Sequence, residues 1–148
     1  MPSPLPSAPA PLFDRLCAPA GSEAEPLDAR GLRESLAREL GLLLGTRSRL
    51  PLSRYAAEAD TVLDWGLPDF TALSPRSGDD REALREAVEV ALARFEPRLR
   101  QVQVAVDDWP GQPQRARVQI DAAVRLGTEW RRVRFALPAD GADAPGEA

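Results

Sequence analysis

Apolar residues recur along this chain with two different periods, and each period predicts a kind of element. From Asp28 onward Leu32, Leu36, Leu40 and Leu43 or Leu44 follow at intervals of three or four, which stacks them on one helical face. Arg33, Glu34, Arg38 and Glu39 take the opposite face. Asp28 suits the N-cap, and Gly45 stands where a left-handed residue commonly closes a helix. A second helical stripe comprises Leu84, Val88, Leu92 and Phe95, with Ala91 beside it. Asp79 or Asp80 is the expected cap, Glu82 and Glu86 lie toward the positive end of the dipole, and Pro97 stops the run. The period then changes to two. Val102, Val104 and Val106 alternate with polar or small residues, and the even positions from Ala116 to Leu126 are all apolar. Val133, Phe135 and Leu137 repeat the pattern. Turns are expected at Asp107–Gly111 and at Gly127–Thr128.

Helix, irregular bend, helix and three sequential strands predict an α+β, two-layer domain over residues 28–137. Two amphipathic helices cover one face of a small, mainly antiparallel sheet of three or four strands. A chain of this size buries roughly two-thirds of its unfolded surface, enough for a core without staples. Between the helices the pattern weakens. Thr46–Leu52 has no period, and Ala56–Leu63 suits one or two helical turns. Asp64–Phe70 reads as an ordered bend: Gly66 is free to take positive φ, Pro68 fixes its own, and Trp65, Leu67 and Phe70 offer anchoring surface. Ser74–Gly78 reads as a looser turn.

Composition sets off the two ends. Seven of the fifteen prolines precede residue 27, so residues 1–27 read as a flexible Pro/Ala-rich arm. Within it Leu12, Phe13 and Leu16 form an apolar element over residues 12–16 that either touches its own domain or docks on a partner. Residues 138–148 read as a disordered acidic tail. The arm carries net −2, the tail −3 and the intervening segment +1, so the low pI belongs to the ends. A near-neutral core gives no electrostatic case for nucleic acid. No apolar run approaches the roughly 20 residues of a membrane span, and prolines occupy the place of a signal peptide's apolar stretch. The expectation is a soluble, cytoplasmic protein.

The chain contains no histidine, and all nineteen positive side chains are arginine. Without histidine there is no Ser/His/Asp triad, no Cys/His pair and no imidazole metal ligand. A single cysteine, Cys17, excludes an internal disulfide and a thiolate zinc cluster. Acids are the remaining catalytic candidates. Glu34, Glu39, Glu82, Glu86, Glu89, Asp107 and Asp108 fall on polar faces or in turns, where solvated charge is the ordinary account. Neither Asp79-Asp80 nor Asp107-Asp108 opens a loop with metal-ligand spacing. No catalytic residue, metal site or cofactor is therefore assigned. Glu96 stands apart, because an anion at a helix C-terminus is disfavoured by about 0.3–1 kcal/mol. It either points into water or is held by flanking Arg94 or Arg98, where a bidentate pair is natural. By parity Arg115, Arg117, Arg125, Arg132 and Arg134 line the wet face of the sheet. They keep an open sheet soluble or form a docking surface.

Four stretches resemble the TssE family of type VI secretion baseplate subunits, related to the lysozyme-like wedge proteins of contractile phage tails. Leu12-Phe13-Asp14-Arg15-Leu16 is similar to an "LxDRL" element, and Leu42-Leu43-Leu44-Gly45-Thr46-Arg47 to "LLNTR", with Gly45 in place of Asn. Thr61–Asp69 resembles "SVLNYGLPD", with Asp64 and Trp65 replacing Asn and Tyr. Phe95-Glu96-Pro97-Arg98-Leu99 matches "FEPRL". The resemblance spans about residues 12–137 in the correct order. It implies a non-catalytic subunit in a cytoplasmic baseplate docked at the inner membrane. That subunit joins TssF, TssG and TssK and templates the first ring of the TssB/TssC sheath, without nucleic acid or membrane insertion. Glu96, Pro97 and Arg98, with Arg117 and Arg134 on the sheet, are then the expected sheath or baseplate contacts. Trp65, Gly66, Leu67, Pro68 and Asp69 form a structural motif, and Leu12, Phe13, Arg15 and Leu16 an N-terminal docking element. The alternative is a lysozyme-like peptidoglycan hydrolase acting through carboxylates.

Overall fold

A computed structural model describes residues 6–21 and 24–141. Four α-helices precede a three-stranded antiparallel sheet: α1 (Leu12–Leu16), α2 (Ala29–Gly45), α3 (Leu52–Glu58), α4 (Gly78–Phe95), β1 (Arg100–Trp109), β2 (Gln112–Leu126) and β3 (Glu129–Pro138). A single 3₁₀ turn, Val62–Asp64, lies between α3 and α4. The strands follow one another in the order β1-β2-β3, so β2 is central. Its even-numbered residues Ala116 to Leu126 are all buried, and they share one core with Leu36, Leu40 and Leu44 of α2 and Val88 and Leu92 of α4. Helix α4 lies against β1 and α3, while α2 meets β3. One buried sheet face and the apolar stripes of α2 and α4 thus share a single core.

Local details depart from the sequence reading in instructive ways. Asp28 caps α2 as expected, its Oδ1 accepting from the Gly31 amide at 2.7 Å. Gly45, however, is the last helical residue and has no positive φ; Thr46 is the extended C-cap. A Cβ on Gly45 would only touch the Asp140 oxygen and the Gly141 Cα at 3.4 Å; the glycine that the close approach requires is Gly141. A Cβ on Gly141 would lie 2.3 Å from the Gly45 Cα, so the chain leaving β3 crosses the last turn of α2 backbone to backbone. Helix α4 is capped by Ser77, whose Oγ accepts from the Asp80 amide at 3.3 Å, rather than by Asp79 or Asp80. The Asp80 carboxylate reaches back to the Ser74 amide at 2.9 Å. The first hairpin is tighter than expected: β1 runs through Asp107 and Asp108 to Trp109, leaving only Pro110–Gly111 to turn, with Gly111 at φ +77°. At its other end β1 carries a bulge, with Gln101 at φ +51° and a register shift between Arg100 and Gln103.

Part of the proline-rich arm is tied to the domain. Ala8 and Leu27 exchange two backbone hydrogen bonds of 2.8 and 2.7 Å, and the Gly127 amide donates to the Ser7 carbonyl at 2.8 Å. Ala8 and Ala10 are buried. Beyond β3, Ala139 is buried and its amide donates to the Ala116 carbonyl at 3.0 Å. The remainder of the acidic tail, residues 142–148, lies outside the described residues.

Candidate interaction surfaces

Helix α2 is where the four resemblance stretches converge. Glu96 follows α4 as its C-cap and is 4% exposed. It does not point into water. Arg98 grips both its oxygens, Nε to Oε1 and NH2 to Oε2 at 2.7 Å each, and the same NH2 donates to Glu39 Oε2 on α2 at 2.8 Å. The hydrogen bond to Glu96 is the main cause of a raised Arg98 pKa, which keeps the guanidinium charged. Arg94 turns elsewhere, donating to the Ala56 carbonyl at 3.3 Å and standing 3.9 Å from Asp60. In the Glu-Pro-Arg motif, then, Pro97 is exposed, Arg98 partly so, and Glu96 faces inward.

At the other end of α2, Thr46 and Arg47 receive the Trp65–Asp69 bend. The Leu67 amide donates to the Thr46 carbonyl at 2.9 Å and the Ser48 amide to the Leu67 carbonyl at 2.7 Å, a short parallel bridge. Gly66 sits at φ +108°, and a Cβ there would come within 2.5 Å of the Thr46 oxygen. Only glycine permits this approach. Tyr55, 1% exposed, donates its hydroxyl to the Gly66 carbonyl at 2.6 Å, and burial pushes its pKa up to about 12. Leu67 and Pro68 are fully buried, while Trp65 is half-buried. Asp69 is exposed and accepts from the Thr71 amide at 3.0 Å, closing its own turn. Arg47 donates to the Leu44 carbonyl at 2.8 Å with its guanidinium 4.3 Å from the Phe70 ring centroid.

Asp64 is a residue whose role the sequence reading missed. It is 1% exposed and accepts from the amides of Asp60 and Thr61, the Thr61 hydroxyl and Arg49 Nε. Burial alone would raise its pKa, but these hydrogen bonds and the Arg49 charge bring it below the ordinary value. The available signal was the spacing Thr61-x-x-Asp64, a capping box, which the structure forms.

The open sheet face is less cationic than its arginine content suggests. Arg117 pairs through two nitrogens with its cross-strand partner Asp107 at 2.8 and 3.0 Å, and Gln119 joins at 2.7 Å. These bonds, Arg117's first, lower the Asp107 pKa. Arg134 pairs with Asp121 at 2.7 Å, again across one register step, and Arg115 with Asp140. Cross-strand ion pairs therefore occupy Arg117 and Arg134.

The N-terminal element is a single exposed helical segment. Leu12, Phe13 and Leu16 are 67%, 76% and 72% exposed, and Arg15 is exposed too. Asp14 stands 3.5 Å from Arg38 of α2. Among the described residues no helix is long and apolar enough to cross a membrane, and no three His, Cys, Asp or Glu side chains group as a metal site.

These geometries can be set beside known proteins. A chain of "The baseplate complex from the type VI secretion system" shares the fold, with a TM-score of 0.52 and 20% identity, over 74% of this chain and 94% of that chain. No curated protein matches the sequence. The sequence model of the family described as "Baseplate wedge protein gp25" matches residues 30–129, from the start of α2 to the start of β3. The chain therefore belongs to the baseplate wedge protein gp25 family.

Proposed function

We propose that this chain is a non-catalytic structural subunit of a type VI secretion baseplate. It joins the wedge subunits TssF and TssG and the adaptor TssK, and templates the start of the TssB/TssC sheath. The observation that carries this reading is the family match over residues 30–129. The likeness in fold to a chain of a type VI baseplate complex supports that setting. Cytoplasmic placement at the inner membrane follows from the same reading.

Three features support it. The sheet order leaves β1 and β3 each with one unpaired edge, the surface that strand addition by a sheath subunit requires. Leu12, Phe13 and Leu16 stand in solvent on a short helix, an apolar cost that a partner offsets. Pro97 and the outer part of Arg98 are available at the α4–β1 junction, with Glu96 behind them as the group that orients Arg98. Arg117 and Arg134 contribute as charge-paired, geometrically fixed side chains rather than as free cations.

The hydrolase alternative needs a carboxyl group with a raised pKa. Glu58, Asp64, Asp69, Glu82 and Asp107 are instead held below their ordinary values by hydrogen bonds, which does not favour an acid catalyst at these five positions. The deciding experiment is co-expression of the tagged chain with TssF and TssG. Co-purification in a fixed ratio is expected; a chain that stays alone while both partners are soluble overturns the assignment.

A further inference from the structure

A groove of about 550 Å³ is lined by the N-terminal segment, the α4–β1 junction and the β2–β3 turn. Its apolar lining includes Ala8, Leu32, Pro97, Val124 and Trp130, and its cations are Arg98, Arg100 and Arg125. Among the described residues no carboxylate lines it. The volume falls within the roughly 300–1,000 Å³ typical of ligand sites. Trp130 is 57% exposed, an unusual position for the largest apolar side chain.

The three arginines are not equivalent. Arg98 is engaged by Glu96 and Glu39. Arg100 and Arg125 have no carboxylate partner among the described residues; Arg125 donates its Nε to the Gly127 carbonyl at 2.9 Å, which leaves its terminal nitrogens outward. The β1 bulge at Gln101 sets Arg100 opposite Ala123, two residues along β2 from Arg125. Both guanidiniums are thereby held at one end of the sheet, beside an exposed indole.

We propose that this groove binds an acidic peptide segment of a protein partner. Two carboxylates pair with Arg100 and Arg125, and one aliphatic or aromatic side chain packs against Trp130. Guanidinium forks match carboxylates bidentately, and an apolar floor between them selects a side chain that water rejects. Nucleic acid fits less well, since two unpaired cations neutralise only two phosphates. The inference stands on the groove alone and does not use the baseplate reading.

The probe is a fluorescein-labelled peptide in which glutamates flank a Leu-Phe pair, titrated with the full chain by fluorescence anisotropy. Three controls accompany it: lysines for the glutamates, Gly-Ser for the Leu-Phe pair, and an oligothymidylate. Saturable binding of the first peptide alone is expected, weakening as salt rises. Arg100→Glu with Arg125→Glu should lower affinity about tenfold or more, and Trp130→Ala should also weaken it. All three residues are exposed, so the thermal melt should stay unchanged. The proposal is overturned by a lack of saturable binding, by unchanged affinity in the charge-reversed protein, or by oligothymidylate binding as tightly as the peptide.

Discussion

The Glu96–Arg98–Glu39 cluster turns an apparent surface motif into part of the fold. Glu96→Ala removes two charge-assisted hydrogen bonds and leaves Arg98, 30% exposed, paired with Glu39 alone, so it should destabilise the domain by about 1–3 kcal/mol, checked by urea unfolding. Glu96→Gln keeps an acceptor for Arg98 and should cost less. Loss of sheath assembly in Glu96→Ala is therefore interpretable only beside the glutamine variant. Gly66→Ala faces two obstacles, a left-handed φ of +108° and a carbonyl oxygen 2.5 Å from the new Cβ. It should cost at least about 2 kcal/mol, seen as a lowered Tm, because the Thr46 oxygen belongs to backbone that cannot step aside.

At the scale of elements, the N-terminal clasp is held by backbone hydrogen bonds, each worth about 0.5–1.5 kcal/mol net, and by burial of the small side chains of Ala8 and Ala10. Deleting residues 1–11 should leave a folded domain with a slightly lower Tm. The amide of Leu27 should then exchange rapidly with solvent, and so should that of Gly127; hydrogen-exchange mass spectrometry reads both. Strong periodicity made the large elements legible: the leucines of α2 and the even positions of β2 named their own buried faces. Helix α3 was harder to see because it buries only Tyr55 and so has no stripe. Asp107 and Asp108 resemble turn residues, yet the bidentate bond from Arg117 holds Asp107 in the ladder. The clasp at Ala8 left no side-chain pattern at all, since its bonds are between main-chain atoms. The motif residues stand out in the sequence as candidates, but their orientation does not. Arg98, which holds Glu96, also reaches Glu39, far away in sequence, and the engagement of Arg117 depends on register.

For the whole molecule, charge linkage sets a distinctive pH profile. Asp64, Asp69 and Asp107 have folded pKa values below their ordinary ones. Their contribution is fully present above the unfolded value near 3.8 and is lost as pH falls through the lower folded values. Tyr55 acts oppositely: stability is intact below 10.0 and declines as pH rises toward about 12, where the buried hydroxyl must ionise. No histidine intervenes, so a Tm scan should show a broad plateau between these limits. A second whole-molecule prediction concerns α1. Leu12→Asp with Phe13→Asp should leave the Tm nearly unchanged, because both side chains are in water, yet abolish co-purification with TssF and TssG. The hydrogen bond between Gly127 and Ser7 has one more consequence, for the order of events during synthesis. It joins residues almost the full length of the chain apart. Ser7 leaves the ribosome well ahead of Gly127, so this bond forms only after the β2–β3 turn has emerged, whereas the Ala8–Leu27 pair needs only the chain up to Leu27. The clasp therefore closes in two stages, a local one and a long-range one.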